Sequence, residues 1–150
     1  PMTIVNPVMG VWPKDAPNTQ EEVTMRFEQG RCVAVNGEAV TPLKALQLAN
    51  QIAGRNGLGI SQALENRILG TKSRGVYEAP GMCLLSQGLV CVFQAVLDRR
   101  STKLFGHLSE HVSEQIYDGR YFDPSTRAAI SAIWQLAEPA NGTVKLGLYK

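Results

Sequence analysis

Apolar and polar residues alternate with period two from Val23 to Phe27, placing Val23, Met25 and Phe27 on one side of an extended chain and Thr24 and Arg26 on the other. Glu28-Gln29-Gly30-Arg31 then offers a turn, and the apolar run Cys32–Val35 leads to a second turn at Asn36-Gly37. This predicts a β-hairpin over about residues 22–36. The period changes after Thr41-Pro42, a capping hydroxyl followed by a proline suited to the first helical position. Ala45, Leu48, Ala49, Ile52 and Ala53 recur at helical spacing, so a helix is expected over 42–55. A second helix, 81–98, carries Leu85, Leu89, Val92, Phe93, Val96 and Leu97 on one stripe, and Met82, Leu84, Val90 and Cys91 add apolar side chains elsewhere. Such a helix is expected to be buried nearly all round. A third helix, 103–117, has Leu104, Leu108, Val112 and Ile116 on its inner face. A fourth, 124–138, is capped by Asp123 and lined by Ile130, Ile133, Trp134 and Ala137. Asn141-Gly142 turns the chain into a strand over 142–149 with Val144, Leu146 and Leu148 facing inward. The predicted class is α+β, with antiparallel strands at both ends and helices between.

Two stretches lack this periodicity. Residues 1–17 contain four prolines and read as an extended entry segment. A free amine on Pro1 could act as a base, but no partner residue is in view, and a cut point explains it equally. Residues 57–81 hold five glycines and collect Glu65, Arg67, Lys72, Arg74 and Glu78, which predicts irregular backbone of the kind that carries binding sites. Glu65, beside Asn66 and Arg67, could hold an ammonium group through charge-assisted hydrogen bonds, and Tyr77 adds a phenol. Lys72, Ser73 and Arg74 stand between Gly70 and Gly75, where backbone could approach an anion closely. The residues alone fit either a site for a small zwitterion or phosphate-bearing ligand or an ion-paired loop that holds helices together. Gly70-Thr71-Lys72-Ser73 does not meet the phosphate-loop pattern.

Composition narrows the partners. A chain of 150 residues with 44% hydrophobic content suits one domain with its own core. A net charge of +2 gives no reason to expect nucleic-acid or membrane binding. Cys32, Cys83 and Cys91 form no C-x-x-C pair, and their odd number favours a reducing, cytosolic setting over a disulfide framework. Cys83 and Cys91 are expected to be packing residues. No apolar run approaches the roughly 20 residues that span a bilayer, so a soluble protein is expected. His107 and His111 are four apart, but they lie with Glu110 and Glu114 on the polar side of the third helix and predict a solvated face, not a metal site.

The run Leu64–Gly81, L-E-N-R-I-L-G-T-K-S-R-G-V-Y-E-A-P-G, resembles the signature of bacterial argininosuccinate synthases. The similarity continues through Ile4–Gly10, Glu21–Gly30, Val33–Gly37, Gly57–Ser61 and Tyr117–Asp123, so it covers nearly the whole chain. It implies the carboxy-terminal part of an enzyme that joins citrulline to aspartate, in which the ureido oxygen is adenylylated and aspartate's amine displaces AMP. In that family a carboxylate and a phenol of this domain help hold citrulline, and the matching positions are Glu65 and Tyr77. Asn66, Arg67, Lys72, Ser73, Arg74 and Glu78 are possible supporting residues. The family's glycine-rich S-G-G-x-D-[ST]-[ST] nucleotide loop does not occur in this sequence. The resemblance therefore implies no catalytic residue and no cofactor site here, with ATP and Mg expected only together with an amino-terminal ATP-binding half. It also implies a homo-oligomer, because this part of the family builds the assembly. Ser86 stands where the family usually has histidine, and Ser61 to Leu64 lack the acidic residue common before E-N-R. Alternatives of other classes are a stand-alone binding or assembly module and a domain recruited to new chemistry.

Overall fold

A computed structural model of the chain describes residues 6–150, so Pro1 and the start of the Ile4–Gly10 match lie outside the described residues. After a short 3-10 turn at Pro13–Asp15, the elements run β1 (Glu21–Glu28), β2 (Arg31–Val35), β3 (Glu38–Ala39), α1 (Pro42–Arg55), β4 (Ile60–Asn66), β5 (Lys72–Glu78), α2 (Pro80–Val96), α3 (Arg99–Tyr117), α4 (Pro124–Ala137) and β6 (Gly142–Leu148). The expected α+β class is observed. β3, β2, β1 and β6 form one antiparallel sheet in that order, and β4 and β5 form a separate two-stranded hairpin.

The first hairpin turns where the sequence predicts it. Gln29 and Gly30 have φ of 48° and 76°, and Asn36 and Gly37 have 50° and 83°. Two left-handed residues in succession match the right-handed twist of the flanking strands. Asn36 reinforces its turn by accepting a hydrogen bond from the Thr24 amide at 2.9 Å through Oδ1.

The core rests on β1. Val23, Met25 and Phe27 are 0–2% exposed, and Val23 and Met25 lie opposite Leu146 and Val144 of β6. Helices α1 and α2 pack against each other and cover this face of the sheet. Gly88 allows the contact, because a Cβ there would stand 2.6 Å from Met25 Cε and 3.1 Å from the Phe27 ring. A mid-helix glycine costs about 1 kcal/mol of helix propensity, and here that cost accompanies close approach of α2 to β1. The opposite face of β1 points outward and carries exposed ion pairs, Arg26 with Glu28 and Glu22 with Lys145, which contribute little.

Several expectations are corrected. Residues 57–81 are not irregular: most of them form the β4–β5 hairpin. α2 is not buried all round, since Met82, Val90 and Cys83 are exposed and Cys91 is half-buried. The sheet and α1 cover only part of its circumference, while α3 reaches it through the edge-to-face pair Phe93–Phe105, with centroids 4.6 Å apart. α3 begins at Arg99, four residues earlier than its apolar stripe suggests, because Asp98 Oδ1 accepts from the Arg100 and Ser101 amides. No residue of α3 is fully buried, and Leu104 and Ile116 of its supposed inner face are exposed. On α4, Ala137 is buried but Trp134 is exposed beneath the guanidinium of Arg31, 4.5 Å from its ring centroid. Asp123 does not cap α4 through its side chain; Oδ2 instead accepts from Arg120 Nε at 2.7 Å. Thr41 does cap α1, accepting from the Lys44 amide.

The alternation along β1 sets opposite costs for adjacent residues. Met25→Ala is expected to destabilise the domain by about 2–5 kcal/mol, and Arg26→Ala by no more than about 0.5, measured as shifts in urea midpoint.

Candidate functional site

The β4–β5 hairpin leaves the body where α1 ends and α2 begins. Gly57 and Gly59, with φ of 70° and 81°, redirect the chain after α1. At the base, the Ala79 amide donates to the Gly59 carbonyl at 2.8 Å, and a Cβ on Gly59 would lie 2.4 Å from Pro80 Cα. Asn50 of α1 accepts from the Gly81 amide at 2.8 Å, satisfying an otherwise free donor in the first turn of α2. The entry segment is strapped to the same base. Glu78 accepts from the amides of Val8 and Met9 at 2.7–3.0 Å, and Val11 donates to the Gly54 carbonyl at 3.1 Å. Gly10 and Gly54 pass so closely that a Cβ on Gly54 would lie 2.3 Å from the Met9 carbonyl oxygen.

Beyond its base the hairpin stands free of the sheet, and strand alternation sorts its side chains onto two faces. The register pairs Ser61 with Tyr77, Ala63 with Gly75, and Glu65 with Ser73, so these six share a face. Gln62, Leu64, Asn66, Lys72, Arg74 and Val76 take the other. The sequence-predicted site residues are therefore divided. Glu65, Arg67, Ser73 and Tyr77 come together, whereas Asn66, Lys72 and Arg74 point away from them and Glu78 serves the base.

On the shared face, the Tyr77 hydroxyl donates to Glu65 Oε1 at 2.5 Å. Arg67, in the turn, places Nη1 3.4 Å from Glu65 Oε2 and directs Nη2 at Ser73 Oγ, also at 3.4 Å. The hydrogen bond to Glu65, and secondarily burial, hold the Tyr77 phenol above its ordinary value of 10.0, so it is protonated and donating at neutral pH. The Arg67 guanidinium is raised first by the Tyr117 phenol at the end of α3 and then by Glu65. Glu65 is thus a half-buried carboxylate hydrogen-bonded by Tyr77 through one oxygen and ion-paired with Arg67 through the other, a charge able to accept from an ammonium group. This arrangement can orient a small polar ligand. It offers no nucleophile paired with a base, and among the described residues no group of three or more His, Cys, Asp or Glu is placed to hold a metal ion. His107 is exposed and His111 half-buried.

A separate apolar groove of about 470 Å³ lies between the β1–β2 turn, α2 and α4, lined by Phe27, Cys32, Leu85, Ser86, Leu89 and Trp134 among others. Burial pushes the Cys32 thiol up, which keeps it protonated and unreactive. Neither Glu65 nor Tyr77 reaches this groove. Ser86, one of the two places where the sequence departs from the family pattern, lines it and not the hairpin. Among the described residues, no helix is long and apolar enough to cross a membrane.

Reading by residue type takes Gly75 for a point of backbone approach to an anion, whereas the space at its missing Cβ is filled by the Tyr77 ring, and it misses Tyr117 beside Arg67. The first needed the strand register, because the sets Ser61, Ala63, Glu65 and Ser73, Gly75, Tyr77 contrast too little in polarity with the opposite face to stand out. The second had no local signal, because it joins residues 50 positions apart in sequence.

Fold and site together define an α+β scaffold that projects a two-stranded hairpin with a polar face. Comparison with known proteins specifies the family. Residues 8–150 match the model of the arginosuccinate synthase C-terminal domain. The chain is 42% identical to the argininosuccinate synthase of Shewanella piezotolerans, with 96% of this chain and 36% of that protein covered. It is 44% identical to that of Rhodopirellula baltica, covering 95% and 35%, and 45% identical to that of Erwinia tasmaniensis, covering 93% and 35%. The chain belongs to the argininosuccinate synthase C-terminal domain family, and it spans about a third of the length of the curated relatives it matches.

The Glu78 clamp predicts a local effect. Glu78→Ala is expected to speed amide hydrogen exchange at Val8 and Met9 while leaving the protection of β1 and α1 unchanged.

Proposed function

We propose that this chain supplies the citrulline-contacting part of an argininosuccinate synthase and works with an ATP-binding half that brings ATP, Mg and the groups for adenylylation. The observation that carries this reading is the Glu65–Tyr77 pair, brought within hydrogen-bond distance on one hairpin face in a chain of this family. Glu65 would accept from the α-ammonium of citrulline, and the Tyr77 hydroxyl would fix its orientation. Arg67 would neutralise part of the Glu65 charge and keep the carboxylate in place. All three roles are positioning, and the barrier to adenylylation is lowered by groups outside this chain. The free thiols of Cys32, Cys83 and Cys91 suit a cytosolic setting.

The isolated chain is expected to release no pyrophosphate when given citrulline, aspartate and ATP, and robust turnover would contradict the reading. Half a site leaves few groups to offset the cost of ordering a ligand. Citrulline should bind on the order of millimolar, about −4 kcal/mol. Titration calorimetry should show that heat lost on both Glu65→Ala and Tyr77→Phe.

A second reading, an assembly role, is favoured by α3. None of its residues is fully buried, and Leu104, Ile116 and Tyr117 are 48%, 55% and 59% exposed, with Phe122 just beyond at 84%. Apolar surface of this kind on a helical arm suits contact with another copy of the chain. Light scattering should find an oligomer that Leu104→Lys with Ile116→Lys dissociates; a monomeric parent removes this reading.

A further inference from the structure

Glu65 and Tyr77 should not meet on strand geometry alone. Glu65 lies opposite Ser73, and Tyr77 is four residues further along the same strand, about 13 Å away at the rise of an extended chain. A side chain standing off the sheet would leave most of that gap open. The contact is made because the Tyr77 ring lies down along the hairpin over Gly75. A Cβ built on Gly75 would stand 2.5 Å from Tyr77 Cε2 and 2.7 Å from both Cζ and the hydroxyl oxygen. Any other residue would occupy the space the ring now fills. Opposite Gly75 the face presents only Ala63, and Ser61 and Ser73 flank the two, so no neighbouring side chain lifts the ring.

Gly75 is not required by its own backbone. It is not among the glycines with positive φ, so alanine can adopt its conformation, and strand interiors disfavour glycine on entropic grounds. The clash would fall on the far end of an exposed side chain, which can swing into water. Replacing Gly75 therefore separates two roles that a buried glycine would confound: the strand keeps its hydrogen bonds while the phenol leaves the carboxylate.

We infer that Gly75 is a positioning residue of the candidate site, whose missing Cβ forms the saddle that seats the Tyr77 ring and holds its hydroxyl on Glu65. The carboxylate and phenol are thereby presented to a ligand as one pre-formed unit, which lowers the ordering cost of binding. The part of this that concerns citrulline rests on the proposed function; the seating of Tyr77 does not.

The test is Gly75→Ala, read first without ligand. With the tyrosine rings labelled for NMR, the Tyr77 phenol of the parent should titrate above 10.0, and in Gly75→Ala it should fall back towards that value. The sign follows from the proton-bound phenol being the form that bonds to Glu65. Its contribution to stability is complete below 10.0 and is lost as pH rises through the raised value. A Tyr77 that titrates alike in both proteins overturns the inference. Folding is controlled in a Tyr77→Ala background, where there is no ring to displace. Adding Gly75→Ala there should leave the urea midpoint unchanged, and a loss equal to that in the parent would show that the backbone needs glycine and would sink the idea. With citrulline, Gly75→Ala should weaken binding several-fold, and combining it with Tyr77→Phe should add nothing to Tyr77→Phe alone. A displaced phenol with undiminished citrulline heat removes the positioning role. No citrulline heat from the parent removes only the functional reading and leaves Tyr77's seat on Gly75 standing.

Discussion

Val23, Met25 and Phe27 lose nearly all contact with water along one face of β1, and the rest of the domain is arranged so that they can. Full burial of such side chains is worth about 1.5–3 kcal/mol each, more than the exposed ion pairs on the opposite face supply. β2 and β6 pair with β1 on either side, and α1 and α2 close over it, with Gly88 giving α2 its close approach. The packing of α1 against α2 then fixes the two chain ends from which the β4–β5 hairpin projects. Position at the site is thus inherited from a core that contains none of the site residues.

The hairpin itself depends on different forces. Two strands without a covering layer are marginal in water, and here the base is secured by the Ala79–Gly59 hydrogen bond, the Glu78 clamp on the entry segment and the tight crossing of Gly10 over Gly54. The tip gains little from packing. Leu64, Ile68 and Leu69 are 67%, 76% and 91% exposed, leaving apolar side chains at the tip in water. A polar pair open to water on one face and apolar residues at the tip suit a hairpin completed by further protein.

Legibility in the sequence followed contrast between faces. α1 is legible to its ends because a hydroxyl cap, a proline and a strict apolar stripe agree at Thr41, Pro42 and Ala45–Ala53. β1 and β6 each carry one apolar and one polar face, which is what a period-two pattern detects. β4 and β5 have little such contrast, since Ser61, Glu65 and Ser73 on one side face Gln62, Asn66, Lys72 and Arg74 on the other, and their alternation disappears into general polarity. The start of α3 was hidden because Arg99, Arg100, Ser101 and Thr102 precede its first apolar residue, although Asp98 stood in capping position. At the site, charge and residue type left a zwitterion site and an ion-paired loop both open. Family resemblance singled out Glu65 and Tyr77, and only the strand register could separate them from Lys72 and Arg74. Gly75 was visible as a glycine, but its purpose required knowing which ring lay above it.

The claim that this hairpin face contacts citrulline is tested most directly by titrating the isotope-labelled chain with citrulline and following its backbone amides. The largest shifts should cluster at Glu65, Arg67, Ser73, Gly75 and Tyr77, with the opposite-face residues Leu64 and Arg74 moving less. Shifts confined to the apolar groove around Leu85 and Trp134, or no shifts at millimolar citrulline, would contradict it.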